Sequence, residues 1–201
     1  MRNWKKILLR TGAVILGAFM ILAIARIPHV LEKDKTDAAV VKIHATKLTL
    51  DDVMGKNLPP DPGADADKTV QGVDVNRNGI RDDVELAIFK EYPNSAKTRA
   101  VLLQYALALQ MEVVQPIVNR GTVGAIANEQ DRAFFCIAKI VPGEGTEYKV
   151  MTAIEKYNKS IYNKQLNTEA RKIAHKNFYK NLGSGTTGES NCDIELSSLP
   201  D

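Results

Sequence analysis

Residues 95–118, SAKTRAVLLQYALALQMEVVQPIV, decide the fold class. Ser95 is an N-cap residue by type, and Val101, Leu102, Tyr105, Leu109, Val113 and Ile117 follow at helical spacing. Charges are few along the stretch. The helix it predicts, Ala96 to about Val118, is therefore apolar on most sides and belongs at the centre of a domain, with Pro116 kinking or ending it. Downstream, one helix spans roughly Thr122 to Ile140 and stops before Pro142-Gly143, and another runs from Glu147 to Gln165. Asn167 or Thr168 caps a last one that ends near Leu182-Gly183, and the tail 183–201 reads as loop. Upstream, Val84, Leu86, Ala87, Ile88 and Tyr92 form one more apolar stripe, punctuated by Pro93-Asn94-Ser95. Aromatics are sparse and no β-branched run alternates. The expectation is an all-α fold, a small bundle of four or five helices.

At 201 residues, 44% hydrophobic and 25% charged, the chain suits one globular domain with appendages. Its formal charge of +3 is too small to point to nucleic acid. His29, His44 and His175 are dispersed, and with two cysteines they do not have the spacing of a zinc site.

The N-terminus opens with a basic stretch, Arg2, Lys5, Lys6 and Arg10, followed by an uncharged apolar run from Thr11 to Ala25. Two readings stay open. Ala23-Ile24-Ala25 has the small-x-small form of a signal-peptide cleavage site. Alternatively Arg10 and Arg26 snorkel, and Ile7 to Ile27 form a membrane anchor. Both predict an exported protein of the bacterial periplasm or cell envelope, membrane-anchored or secreted, with the basic end in the cytoplasm. An even cysteine count in that setting predicts a disulfide between Cys136 and Cys192. Three segments follow: 1–27 as signal peptide or anchor, 28–73 as a flexible tether, and 74–201 as a loop plus helical domain. Within the tether, Val41 to Ala45 alternates like a short strand, and Leu58-Pro59-Pro60-Asp61-Pro62-Gly63 forbids regular structure.

Residues 74–85, DVNRNGIRDDVE, fit D-x-[DN]-x-[DN]-G-x₅-E at every constrained position. Calcium takes six to eight hard oxygen ligands, and this spacing supplies them. Asp74, Asn76 and Asn78 converge from alternate positions, and Gly79 permits the sharp turn. Ile80 then offers its backbone carbonyl, Asp82 binds directly or through water, and Glu85 closes the shell with both carboxylate oxygens. The stretch resembles the EF-hand-like calcium loops of exported bacterial proteins, including those of dockerins and thrombospondin type 3 repeats. That resemblance implies a bound calcium ion and no particular activity. Ile80 matches the dockerin-type pattern. Arg81 stands where paired EF-hands place an aliphatic residue, no helix is expected before Asp74, and the loop occurs once. With the proline-rich stretch before it, the region also resembles a set of exported bacterial envelope proteins. Few charged ligands, with Arg77 and Arg81 in the same loop, imply weak binding, on the order of 10⁻⁴–10⁻³ M, and a structural ion.

Between Tyr148 and Lys180 basic residues far outnumber Glu155 and Glu169. Lys156, Lys159, Lys164, Arg171, Lys172, Lys176 and Lys180 form either a patch for an anionic partner or the solvated face of amphipathic helices, with Tyr157, Tyr162, Phe178 and Tyr179 packed inward. Export argues against a nucleic-acid partner. Neither G-x-S-x-G nor H-E-x-x-H occurs, and Glu129 and Asp131 fall on different helix faces as charged solvent positions. The expected protein is a non-catalytic calcium-binding envelope protein, joined to the membrane by its N-terminal segment and presenting a helical surface to another envelope component. The alternatives are a membrane-surface or polyanion binder, and a cell-wall or lipid hydrolase.

Overall fold

The computed structural model describes residues 2–117, 119–141, 146–183 and 191–201. Val118, Pro142-Gly143 and tail residues 184–190, on which parts of the helix-end and tail expectations fell, lie outside the described residues. Among the described residues all regular structure is helical: α1 (Arg2–Ala45), α2 (Leu50–Met54), α3 (Asp82–Glu91), α4 (Ala96–Val114), α5 (Arg120–Ala138), α6 (Glu147–Gln165) and α7 (Glu169–Lys180), with 3₁₀ turns at Gly63–Asp67 and Leu196–Ser198. The chain divides into two compact units, Met1–Ala38 and Ala39–Asp201.

The first unit is the apolar part of α1. Leu9, Val14, Ile15, Phe19, Leu22 and Ile24 are all exposed on it. By length and composition this helix is able to cross a membrane. Residues 7–27 alone rise about 31 Å, the thickness of a bilayer's hydrocarbon core.

The second unit is built around α4, which packs against α2, α3, α5, α6 and α7. A helix with so many neighbours must be apolar on nearly every side, and Val101, Leu102, Leu103, Ala106, Leu107, Leu109 and Met111 are all buried. Ser95 caps it as its type predicts, its hydroxyl accepting from the Thr98 N–H at 3.1 Å. The Pro200 carbonyl takes two further orphan donors of the same helix end, the N–H groups of Ala96 and Lys97. The helix ends before Pro116. α6 keeps its predicted bounds, with Ile154 and Ile161 buried, and Thr168 caps α7.

The structure corrects the flexible tether over 28–73. Pro28 to Ala45 is helix, so the alternation at Val41–Ala45 is not a strand. The i, i+3 pair Val40 and Ile43 faces the core while Val41 is exposed, and helical spacing overrides a five-residue alternation. Next, Thr49 and Asp52 form a reciprocal capping box that starts α2. Leu48, Val53 and Ala66 are buried. The irregular chain beyond α2 is fixed by side chains that reach its carbonyls. Arg99 donates to Val53 O at 3.1 Å, Gln110 to Gln71 O at 2.7 Å, and Arg171 to Ala66, Thr69 and Val70. The compact unit therefore begins near Ala39, well before Asp74.

Cys136 and Cys192 form the predicted disulfide, with Cα atoms 5.2 Å apart and a sequence separation of 56. Beside it, Asp193 accepts from the Leu48 N–H and from Arg132, and its own N–H donates to Gln104. The tail is thus a structural strap across α4 and α5. Replacing Cys192→Ser should lower unfolding stability by about 2–5 kcal/mol in denaturant titration. Mass spectrometry of the native protein should find the pair two mass units below its reduced form, with neither thiol open to alkylation.

Candidate metal centre

The loop 74–85 coils as its motif requires. Arg77 and Gly79 both take left-handed backbone angles, φ 60° and φ 86°. Glycine suits that left-handed angle, and a Cβ at position 79 would lie 2.7 Å from Leu107 Cδ1 and displace that methyl group. The Asp74 carboxylate turns back into the loop, its Oδ2 accepting from the Gly79 N–H at 3.0 Å. The N–H of Ile80 donates to Asn78 Oδ1 at 2.9 Å, while the Ile80 side chain fills the core. Asn76 Nδ2 bridges Asn57 O and Glu85 Oε2, at 2.9 and 3.0 Å. Asp82 starts α3 and holds the head of the loop, its two oxygens accepting from the Val75 N–H at 3.1 and 3.2 Å.

One oxygen of each outer carboxylate is left over. Asp74 Oδ1 and Glu85 Oε1 are buried and without a hydrogen-bond partner. Among the described residues no lysine or arginine forms an ion pair with Asp74, Asp82 or Glu85. Burial raises the pKa of all three, and for Glu85 it does so to about 7, with Asp52 and Asp82 adding like-charge repulsion against the pull of Asn76 and Asn78. A second negative oxygen with no donor, repeated at both ends of the loop, is the electrostatic condition a hard cation relieves. No three His, Cys, Asp or Glu side chains cluster in the manner of a metal site among the described residues. The loop's donor set is instead mixed: two outer carboxylates, amides and a backbone carbonyl. Asn78 keeps its Oδ1 within the turn, on the Ile80 N–H, and its buried Nδ2 has no hydrogen-bond partner. The residues fit calcium in kind and spacing.

Arg81, the departure from paired EF-hands, has a positive role. Its side chain is wholly buried. It holds Asp83 through two bonds, at 2.9 and 2.5 Å, and donates to Gln165 O at 2.8 Å where α6 ends. The loop is thereby docked on the α6–α7 junction of its own domain, where a paired EF-hand would meet a second loop.

The basic patch loses a member. Arg171 is wholly buried, and its guanidinium makes five hydrogen bonds, one to the Asp67 carboxylate at 2.5 Å and one to Asn167. Lys164 and Lys172 pair with Glu91 and Glu169, and Lys180 donates to Asn177. Lys156, Lys159 and Lys176 are exposed. Of the aromatics expected inside, Phe178 is buried, whereas Tyr162 and Tyr179 stay exposed.

Glu129 is a buried hub, which corrects its reading as a solvent charge. Its carboxylate accepts from His44 and Lys47, each at 2.7 Å, and pairs with Arg132. The helical continuation to Ala45 is what brings His44 there. Sequence reading also missed Glu112 and His175, a buried carboxylate hydrogen-bonded to a histidine Nδ1. The signal for them was present: Glu112 is a lone acid deep in the apolar α4, where only a partnered charge is tolerated.

No family model, curated protein or solved structure matches the chain.

Burial pushes the Glu129 pKa up, but hydrogen bonds from Lys47 and His44, with the charge of Arg132, outweigh it and hold the group below its ordinary 4.5. A depressed carboxylate stabilises the fold above its unfolded pKa, and that stability is lost as pH falls through the folded value. Glu129→Gln should therefore cost about 3 kcal/mol at neutral pH. The deficit should shrink steadily below pH 4.5 when urea midpoints of the two proteins are compared.

Proposed function

We propose that this is an exported, non-catalytic envelope protein whose helical domain is locked by one structural calcium ion. Asp74, Asn76, Asn78, the Ile80 carbonyl and Glu85 hold the ion, and Asp82 supports the loop from behind. The observation that carries the reading is the pair of buried, unpartnered carboxylate oxygens, Asp74 Oδ1 and Glu85 Oε1, at the two ends of one motif-matching turn. Calcium bridges the first residue of the loop to the first turn of α3, and so joins the irregular chain 46–73 to the helices. Export is supported by the long apolar helix near the N-terminus and by the Cys136–Cys192 bridge, a bond that persists in oxidising compartments. The same helix serves as signal or anchor, and an envelope component is the natural partner for the domain. The alternative of an anionic-surface binder is weakened, because Arg171 is spent inside the domain.

A weakly held structural ion stabilises the folded state by RT ln(1 + [L]/Kd), so millimolar calcium should add about 1 kcal/mol at a Kd near 0.3 mM. The melting temperature of the full chain should rise by about 2–4 °C. Magnesium, which demands near-ideal octahedral geometry and keeps its waters, should do far less. Glu85→Gln should abolish the calcium response. A melting curve unmoved across a calcium titration would overturn the reading.

A further inference from the structure

Away from the loop 74–85, side chains of α4, α5, α6 and α7 line a cleft of about 250 Å³ that is open to solvent on one side. Tyr105, Phe134, Tyr162 and Tyr179 line it together with Asp131 and His175. Tyr162 and Tyr179 meet the His175 ring edge-on, with centroids at 5.2 and 4.8 Å, so the imidazole is clamped between them. Behind it the wholly buried Glu112 takes His175 Nδ1, which leaves Nε2 as the ring nitrogen for a ligand. We propose that this cavity binds a small organic ammonium ion carrying a nearby hydroxyl, a ligand of the amino-alcohol class.

Three features select that chemistry. The faces of aromatic rings attract cations, and quaternary ammonium groups are recognised by cages of this composition. Asp131 lines the cleft and Glu112 lies behind it on His175, and among the described residues neither carboxylate pairs with a lysine or arginine. Glu112 Oε1 has no partner at all. Burial raises the Tyr179 pKa most, and Glu112, the phenols of Tyr105 and Tyr162, and Asp131 raise it further. Lastly, Gln130 lines the same cavity with its Oε1 taken by the Tyr179 hydroxyl and its buried Nε2 unpartnered, a donor left for a ligand oxygen. The volume falls below that of pockets for drug-sized molecules and suits a compact ligand. Lys159 lies outside, on an adjoining trough, beside Glu155 of opposite charge.

Calorimetric titration of the full chain, held in an uncharged maltoside detergent, tests the assignment with choline, its neutral carbon isostere 3,3-dimethyl-1-butanol, and glucose. Choline should bind, and the isostere should bind at least about ten-fold more weakly. Asp131→Asn and Tyr162→Ala should each weaken choline by about ten-fold, whereas Tyr162→Phe, which keeps the ring face, should retain it. Equal binding of choline and the isostere would show an apolar cavity without charge selection and overturn the proposal. Binding of glucose in place of choline, or no heat with choline in a protein whose melting curve is intact, would overturn it as well.

Discussion

A long irregular segment, from Gly55 to Arg81, lies against the helices, and its backbone carbonyls need donors that no sheet or helix provides. The buried guanidinium of Arg171 supplies three of them. Its five N–H donors meet five acceptors, three of them consecutive-region carbonyls at Ala66, Thr69 and Val70. Arg81 reaches from the other direction and donates to Gln165 O and, at 3.4 Å, to the same Asn167 Oδ1 that Arg171 holds. Two buried cations and one turn between α6 and α7 thereby tie the calcium loop, the segment before it and the last two helices into one body. Each cation is offset by a carboxylate, Asp67 for Arg171 and Asp83 for Arg81, as burial of charge requires.

The loop 74–85 sits at the end of that segment, and its own electrostatics are the reverse. Around Arg171 the positive charge is matched donor for acceptor. At Asp74 and Glu85 one oxygen of each carboxylate has a donor and the other is buried without one. An ion held there would relieve two buried carboxylate oxygens that the protein's own side chains leave without a donor. That is why the site reads as structural. It fastens a loop whose other contacts are already in place, on a domain further strapped by the Cys136–Cys192 bridge.

Local patterns made much of this legible in the sequence. The apolar periodicity of 95–118, the Ser95 and Thr168 caps and the bounds of α6 all follow from residues within one or two turns of each other, and the all-helical architecture follows with them. The disulfide was readable because only two cysteines exist to pair. Residues 28–73 were misread for the opposite reason. Their prolines and charges do rule out a sheet, yet what orders the chain comes from Arg99, Gln110 and Arg171, which lie 39 to 105 positions away from the carbonyls they hold. Arg171 was assigned to the surface by composition, since an arginine in a lysine-rich helix gives no sign that it points inward. At the candidate site the spacing located Asp74 to Glu85, but the docking role of Arg81 depended on where α6 ends in space.

The most direct measurement of the central claim is anomalous scattering from crystals of the protein grown with millimolar calcium. One strong peak is expected inside the loop, about 2.3–2.6 Å from Asp74 Oδ1 and from both Glu85 oxygens. A folded loop at the same calcium concentration with no peak between Asp74 and Glu85 would contradict it.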